Sequence, residues 1–223
     1  MQQLAVLVIF VPHIKFSSGA LTLFSVNSFL YGFYISPILG AQKTRIEELH
    51  KIVRSESNAI FAMVIGIAKL PLKLRKSIQD MFLDYLDHAI RHRRPGGGEE
   101  KYEAMIAFCL EYKGEHQDEI DKLLAGLVAN QQNRTNYSMQ LSNRVYSNEW
   151  IIMIILFIVT LSFVLMLDAG DGYLYKTLAA LLCTGLSMLL IILAKMSTLT
   201  HKKAKQIWNP FNKLINSRFY RID

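Results

Sequence analysis

The sequence predicts an all-α integral membrane protein with three transmembrane helices and a cytoplasmic helical bundle continuous with the spans. Three long stretches without a charged residue support this fold class: residues 16–42, 150–167 and 177–194. At about 1.5 Å per residue, each can cross the roughly 30 Å hydrocarbon core of a bilayer. Of the 223 residues, 52% are hydrophobic and only 19% are charged, which argues against a disordered chain and against an ordinary soluble domain.

These patterns divide the chain into four predicted segments. They are an amino-terminal apolar segment with the first transmembrane helix (1–42), a cytoplasmic helical bundle (43–149), a hairpin of two transmembrane helices (150–194) and a basic amphipathic cytoplasmic tail (195–223). Residues 1–14 are apolar but too short to cross the membrane alone. We interpret them as an interfacial or packed segment. Two alternatives are a cleaved signal peptide and an extension of the first transmembrane helix.

Charge predicts the orientation of the chain in the cell membrane. The tail from Lys195 to Asp223 has a net charge of +6, whereas the hairpin loop from Asp168 to Lys176 has a net charge of −1. Because positively charged segments are retained on the cytoplasmic side, we expect the tail in the cytoplasm. Three spans then place the amino terminus outside.

Helical periodicity continues through the predicted bundle. After Lys43, apolar residues recur at heptad spacing as far as Pro71, which predicts that the first transmembrane helix runs on to that proline. Further helices are predicted at about 72–93, at about 99–112 and from about 115 directly into the span at Trp150. The glycine-rich segment 95–98 is the predicted linker between two of them.

Two charges interrupt the apolar stripes of these helices. Glu56 lies in the stripe of the first helix and Arg134 in that of the last. An unpaired charge inside a bundle would be costly to desolvate, so we predict a structural ion pair between Glu56 and Arg134. The alternative is that both are rim positions facing water.

Small and hydroxylated residues form a stripe along the first transmembrane helix, namely Ser18, Thr22, Ser25, Gly32 and Ser36. Small residues in membrane helices usually allow close helix packing. If several copies surrounded an axis, the same stripe could line a narrow pore, because hydroxyls and exposed backbone replace part of an ion's hydration. Both interpretations stay open.

The tail interleaves basic and aromatic residues. We predict that Lys202, Lys203, Lys205 and Trp208 bind anionic lipid at the bilayer surface, with Asn209-Pro210 as the start of a new helix. A nucleic-acid patch has a similar composition. Since the tail directly follows a span, the lipid surface is nearer, and no nucleic-acid partner is expected.

Signals for metal binding and catalysis are weak. Asp84, His88 and His92 share one helix face at a spacing that suits a metal, but a solvated polar face is favoured and no metal is expected. Cys109 and Cys183 are too isolated to indicate a disulfide framework or a zinc site. No motif for a nucleophile, a phosphate-binding loop or a dinucleotide site is present, so we expect no enzymatic activity and no cofactor.

The order of segments resembles the bacterial bestrophin-like membrane proteins. The resemblance is carried by YISPILGAQKTRIEELHKIVRSESNAI, a helical insert, LSNRVYSNEW and a two-span hairpin. The family's Glu-small-Asn-Ala-Leu-like patch is similar to residues 56–60, and its arginine before a span-opening tryptophan is similar to Arg134 or Arg144 before Trp150.

The resemblance implies a homo-oligomeric pore that passes small anions. Bestrophins themselves are pentameric anion channels with four spans and an aromatic-lined neck. This sequence departs from that pattern, since it has three clear spans and carries Gly40 and Ala41 where aromatic residues are common in the family. The alternative function is a non-conducting membrane scaffold or sensor that recruits partners through its cytoplasmic helices.

Overall fold

The computed structural model describes residues 15, 17–92, 98–166, 173–202 and 206–216. It is 88% helical, with no strand among these residues. The predictions made for residues 1–14 and for the hairpin loop around 168–172 concern residues outside the described ranges. The helices are α1 (Ser18–Gly66), α2 (Leu72–Arg91), α3 (Glu99–Glu111), α4 (Gln117–Ser142), α5 (Ser147–Met166), α6 (Tyr173–Ser197) and α7 (Asn209–Ile215).

Three stretches of the described chain contain helix long and apolar enough to span a membrane: Ser18–Lys69, Gln117–Met166, which includes both α4 and α5, and Lys176–Ser197. The all-α class and the three predicted spans are therefore confirmed. Only 11%, 17% and 11% of the residues in the respective apolar windows are buried within the chain. So much uncovered apolar surface is expected of helices surrounded by lipid or by other subunits.

The chain folds as two compact units. The first consists of residues 1–44 and 144–201. Here the beginning of α1 packs with α5 and α6 around a core formed by Tyr31, Ile35, Val145, Met153 and Leu193. Asn27 Nδ2 donates a hydrogen bond to Thr160 Oγ1 at 2.7 Å, between α1 and α5. Polar side chains of membrane helices need such partners within the protein, because lipid tails offer no hydrogen bonds.

The second unit consists of residues 45–143 and 202–223. The heptad positions of α1 are buried as their spacing predicts, and Leu49, Val53 and Ile60 have no exposed surface. Helix α3 packs against both α2 and α4, and α7 packs against α2. α1 and α4 approach closely at Gly126, where a Cβ would lie 2.9 Å from Met63 Cγ.

Proline fixes the ends of two helices where the sequence predicts them. α1 continues well beyond Lys43 and gives way to a 3₁₀ turn at Ile67–Lys69, just before Pro71. The residue before a proline is disfavoured in the helical conformation, so the chain leaves the helix there. α7 begins at Asn209, and Pro210 occupies its first turn, where no backbone N–H is needed.

The structure corrects one prediction, because α4 does not run directly into the Trp150 span. α4 ends at Ser142 and α5 begins at Ser147. Arg45 Nε and Nη2 donate to the backbone carbonyls of Gln140 and Leu141 at 2.7 and 3.0 Å. Carbonyls in the last turn of a helix lack partners within the helix, so this bonding favours an end to α4 at that point.

The next helix has its own start signal. The backbone N–H of Tyr146 donates to Glu149 Oε2 at 2.9 Å. A glutamate in the first turn that bonds back to the preceding residue is half of a capping box. The sequence therefore supplies a stop for α4 and a start for α5.

We expect Arg45→Ala to destabilise the second unit. Arg45 is buried, and its loss would leave two carbonyls at the end of α4 without a charged donor, at a cost of about 2 kcal/mol. The midpoint of thermal unfolding in mild detergent, followed by circular dichroism, measures this. Lys43→Ala, at an exposed position two residues earlier, is the control. Equal losses in the two variants would rule out the capping role.

Candidate functional site

The small-residue stripe lies on an uncovered face of α1. Ser18, Thr22, Ser25, Gly32 and Ser36 are all exposed. At about 100° per residue, this face lies about 100–140° around the helix from the buried Tyr31 and Ile35. A Cβ added at Gly32 would meet no atom within 4 Å. The close packing that small residues permit therefore does not occur at Gly32 within the described part of this chain.

The stripe combines hydroxyl groups with an aromatic pair. Thr22 and Ser25 donate their hydroxyl hydrogens to the carbonyls of Ser18 and Leu21, each at 3.0 Å, so their oxygens remain available on the surface. Phe29 falls within the stripe by helical spacing and is 68% exposed. Its ring stacks on that of Phe33, with 5.9 Å between the centroids. The exposed face thus combines hydroxyl groups with the bulky apolar side chains of Phe29 and Phe33.

A cluster of buried polar side chains lies in the second unit. Glu56 and Arg134 are 1% and 5% exposed, so neither is a rim position. The direct partner of Arg134 is not Glu56 as expected but Glu99, which it contacts through both nitrogens, Nη2–Oε2 at 2.7 Å and Nη1–Oε1 at 3.2 Å. Glu56 accepts a hydrogen bond from the Tyr85 hydroxyl. Both residues belong to one cluster, with Tyr85 and Glu99 as their immediate partners.

Aromatic rings complete the cluster around Arg134. Its guanidinium carbon lies 3.8 Å from the ring centroid of Tyr102 and 5.4 Å from that of Tyr85, which is cation–π geometry. The Tyr102 hydroxyl donates to the Leu127 carbonyl at 2.7 Å and accepts from Asn130 Nδ2 at 3.3 Å. A buried polar network in which the members find partners is rigid and specifies one arrangement of its helices.

The electrostatics of the cluster leave one group that titrates near neutral pH. Burial raises the pKa of Glu56 to about 7, although the hydrogen bond from Tyr85 and the charge of Arg134 lower it. Burial also raises the pKa of Tyr85 well above its usual range and that of Tyr102 to about 12. Both phenols therefore stay protonated, and Tyr85 remains a donor to Glu56.

A glycine with a special backbone positions Glu99. Gly98, which precedes α3, has a φ of 86°. A Cβ there would lie 2.9 Å from Tyr85 Cε2, so both the backbone conformation and the close approach require glycine. The sequence shows this linker, but it does not show that the residue after it meets Arg134 on α4. The signals available in the sequence were Glu99 in the first turn of a predicted helix and Arg134 in the apolar stripe of the next helix.

Of the four tail residues predicted to bind lipid, the structure places Trp208 differently from the prediction. Lys202 is exposed, and Lys203 and Lys205 lie outside the described residues. Trp208 is 1% exposed, and its indole N–H donates to the Tyr137 hydroxyl at 3.0 Å. Its neighbours Ile207, Phe211 and Leu214 are also buried. The apolar face around Trp208 is covered by the chain itself and does not lie against lipid.

The three possible metal ligands on α2, Asp84, His88 and His92, contact other side chains or each other. Asp84 Oδ2 lies 2.9 Å from Lys101 Nζ, and the rings of His88 and His92 stack with 4.1 Å between centroids. In the described ranges, no group of three or more His, Cys, Asp and Glu side chains could hold a metal ion.

A double-mutant cycle tests the partners of Arg134. We expect a coupling free energy of about 1 kcal/mol or more between Glu99→Gln and Arg134→Met, because these two side chains are in direct contact. The coupling between Glu56→Gln and Arg134→Met should be smaller, since Tyr85 is the residue that bonds Glu56. Chemical unfolding of the four variants of each cycle gives both values. A larger coupling for Glu56 would contradict this assignment.

Glu56 should make stability depend on pH. Its pKa in the folded protein, about 7, is above its ordinary value of 4.5, so folding takes up a proton between these values. The contribution of Glu56 to stability is therefore greatest below its ordinary pKa, falls as pH rises towards about 7, and is level above that. The loss across this window is up to about 3 kcal/mol.

Unfolding midpoints across this pH range in mild detergent test the prediction. Glu56→Gln should remove the decline that wild type shows, whereas Glu103→Gln, at an exposed position on α3, should keep it. Parallel profiles for wild type and Glu56→Gln would show that this carboxyl does not titrate in the window.

The comparison with known proteins assigns the chain to a family. A family model described as Bestrophin-like domain matches residues 20–212. No curated protein and no solved structure matches the chain. The matched range includes most of the α1 stripe, the cluster around Glu56 and the start of α7. Since it also covers most of the chain, the protein belongs to the bestrophin-like family of membrane proteins.

Proposed function

We propose that this protein forms a homo-oligomeric membrane pore that passes small anions, with α1 of each subunit facing the central axis. The observation that carries the proposal is the exposed polar stripe of α1, on a different side of the helix from the packed face around Tyr31. Three spans from one chain are too few to enclose a conduit, so the pore needs several copies. A closed ring of identical subunits is the common way to supply them.

Three faces of α1 support this arrangement. One face packs within the chain, and a second is apolar and exposed, with Leu23 and Leu30 as examples. The third is the stripe with Thr22 and Ser25. Lipid tails form no hydrogen bonds with hydroxyl groups, so a face that carries hydroxyls is more favourable where it meets water or other subunits. The apolar face is then left for lipid.

Phe29 gives the proposed pore a constriction. In a ring of subunits, its exposed side chain would repeat around the axis at one level, between the small positions Ser25 and Gly32. Hydrophobic constrictions of this type gate pores by excluding water. Selectivity for anions rests on membership of the bestrophin-like family.

The proposed orientation has the carboxyl-terminal tail and the second unit in the cytoplasm of the cell. Its support is the net charge of +6 in the tail against −1 in the hairpin loop. Cys109 and Cys183 are buried, and burial raises the pKa of Cys109 to about 11, so they should react slowly with maleimides at neutral pH. Labelling of Lys202→Cys from the inner side alone would support this orientation, and labelling from outside would reverse it.

A second candidate function, a scaffold or sensor without conduction, is favoured by a separate observation. Leu110 on α3 and Val128 on α4 are 65% and 58% exposed in the second unit. Exposed apolar side chains outside the membrane spans are suited to binding a partner. A crosslinked partner that is lost in Leu110→Glu and Val128→Glu, together with the absence of ion flux, would favour this function.

We expect purified protein in liposomes to conduct halide, and we expect Ser25→Trp/Gly32→Trp to abolish this flux. Both positions are on the stripe, and two bulky rings per subunit would fill a narrow lumen. Halide flux beside protein-free liposomes measures this. Phe29→Ala should increase the flux, because it widens the proposed constriction.

The matched control is Leu23→Trp/Leu30→Trp, which places the same rings on exposed positions of α1 away from the stripe. It should leave the flux close to that of wild type. Size-exclusion chromatography with light scattering must show equal assembly of the variants. A monomeric wild type in mild detergent and in nanodiscs, or a flux that the control lowers equally, would contradict the proposed axis.

A further inference from the structure

The second unit contains a basic cleft between α1 and the segment around α7. Its volume is about 630 Å³, within the usual range of small-molecule sites. One wall carries Lys51 and Arg54 of α1, and the other carries Lys213 of α7. The hydroxyl of Ser57 donates to the Pro210 carbonyl at 3.3 Å and joins the two walls. The cleft is therefore a built feature of the fold.

The charge of the cleft has one sign. Its lining includes three cations and no carboxylate. Lys51 is paired with Glu48, at 2.8 Å, but Arg54 and Lys213 form no ion pair with any residue that the structure describes. A concave surface with one sign of charge concentrates ions of the opposite sign. An ordinary solvated helix face would intersperse carboxylates among these cations.

Neutral hydrogen-bond donors lie beside the cations. Asn58 is on the α1 wall, and Gln206 and Asn209 are on the opposite wall. Within the described chain, these three side chains have no hydrogen-bond partner. A guanidinium, an ammonium group and several amide donors around one concavity match the many acceptor oxygens of a phosphate group.

We propose that this cleft binds the phosphate group of a small molecule, with Arg54 and Lys213 as its charged ligands. The phosphate could belong to an anionic phospholipid headgroup or to a free organic phosphate, and the chemistry of recognition is the same. The cleft differs from the lipid-binding surface predicted for the tail, because Trp208 is buried and neither it nor Lys202 lines the cleft. The site stands independently of conduction, since none of its residues belongs to the α1 stripe.

Full-length protein in nanodiscs of neutral phosphatidylcholine tests the proposal. Inorganic tripolyphosphate and dihexanoyl phosphatidic acid are titrated separately at low ionic strength, and the midpoint of thermal unfolding is followed. At least one probe should raise the midpoint of wild type in a saturable manner. In Arg54→Gln/Lys213→Gln the half-saturating concentration should rise about tenfold or more, because two charge-assisted contacts are lost.

The matched control is Lys73→Gln/Lys76→Gln, which removes the same charge from exposed positions on α2 outside the cleft. It should respond like wild type. Saturation by tripolyphosphate alone assigns the site to free phosphates, and saturation by the short-chain lipid alone assigns it to a headgroup. Either result, or saturation by both probes, supports the proposal that the cleft binds phosphate. The absence of a response in wild type, or an equal loss in the two double variants, would overturn it.

Discussion

The second unit depends on the contacts that the buried guanidinium of Arg134 makes with its neighbours. Helix α4 supplies Arg134, α3 supplies Glu99 and Tyr102, and α2 supplies Tyr85, which in turn bonds Glu56 of α1. Four helices thus meet around one cation. A buried charge is tolerated only with close and well-directed partners, so each of these helices must hold its axial position and its rotation. The cluster thereby fixes the arrangement that apolar heptad packing alone would leave free to slide.

The sequence predicts the elements of this fold better than their partners. Uncharged stretches and the positions of Pro71, Gly98 and Pro210 predict the spans and several helix ends, because these signals are local. The break before Tyr146 was missed, since the contact that favours the end of α4 comes from Arg45, about a hundred residues earlier in the chain. Contacts over such separations depend on the packed structure and leave no periodic trace in the sequence.

The same distinction explains the candidate sites. The α1 stripe is visible in the sequence because its residues repeat along one helix face. The choice of Glu99 as the partner of Arg134 depends on how α3 is placed by a glycine whose backbone has a positive φ. The basic cleft combines two segments about 150 residues apart, and only the folded chain brings Lys51 and Arg54 beside Lys213. Charge alone predicted an anionic partner for the tail but not the concavity that would hold it.

The burial of Trp208 also makes the protein its own spectroscopic reporter. The chain has two tryptophans, and Trp150 lies in the first unit while Trp208 is enclosed in the second. In a Trp150→Phe background, all indole emission would come from Trp208, which directly precedes α7 and bonds Tyr137. Undocking of the carboxyl-terminal segment would move that emission to longer wavelength and open it to aqueous quenchers. The attachment of α7 can thus be followed optically in intact membranes without an added label.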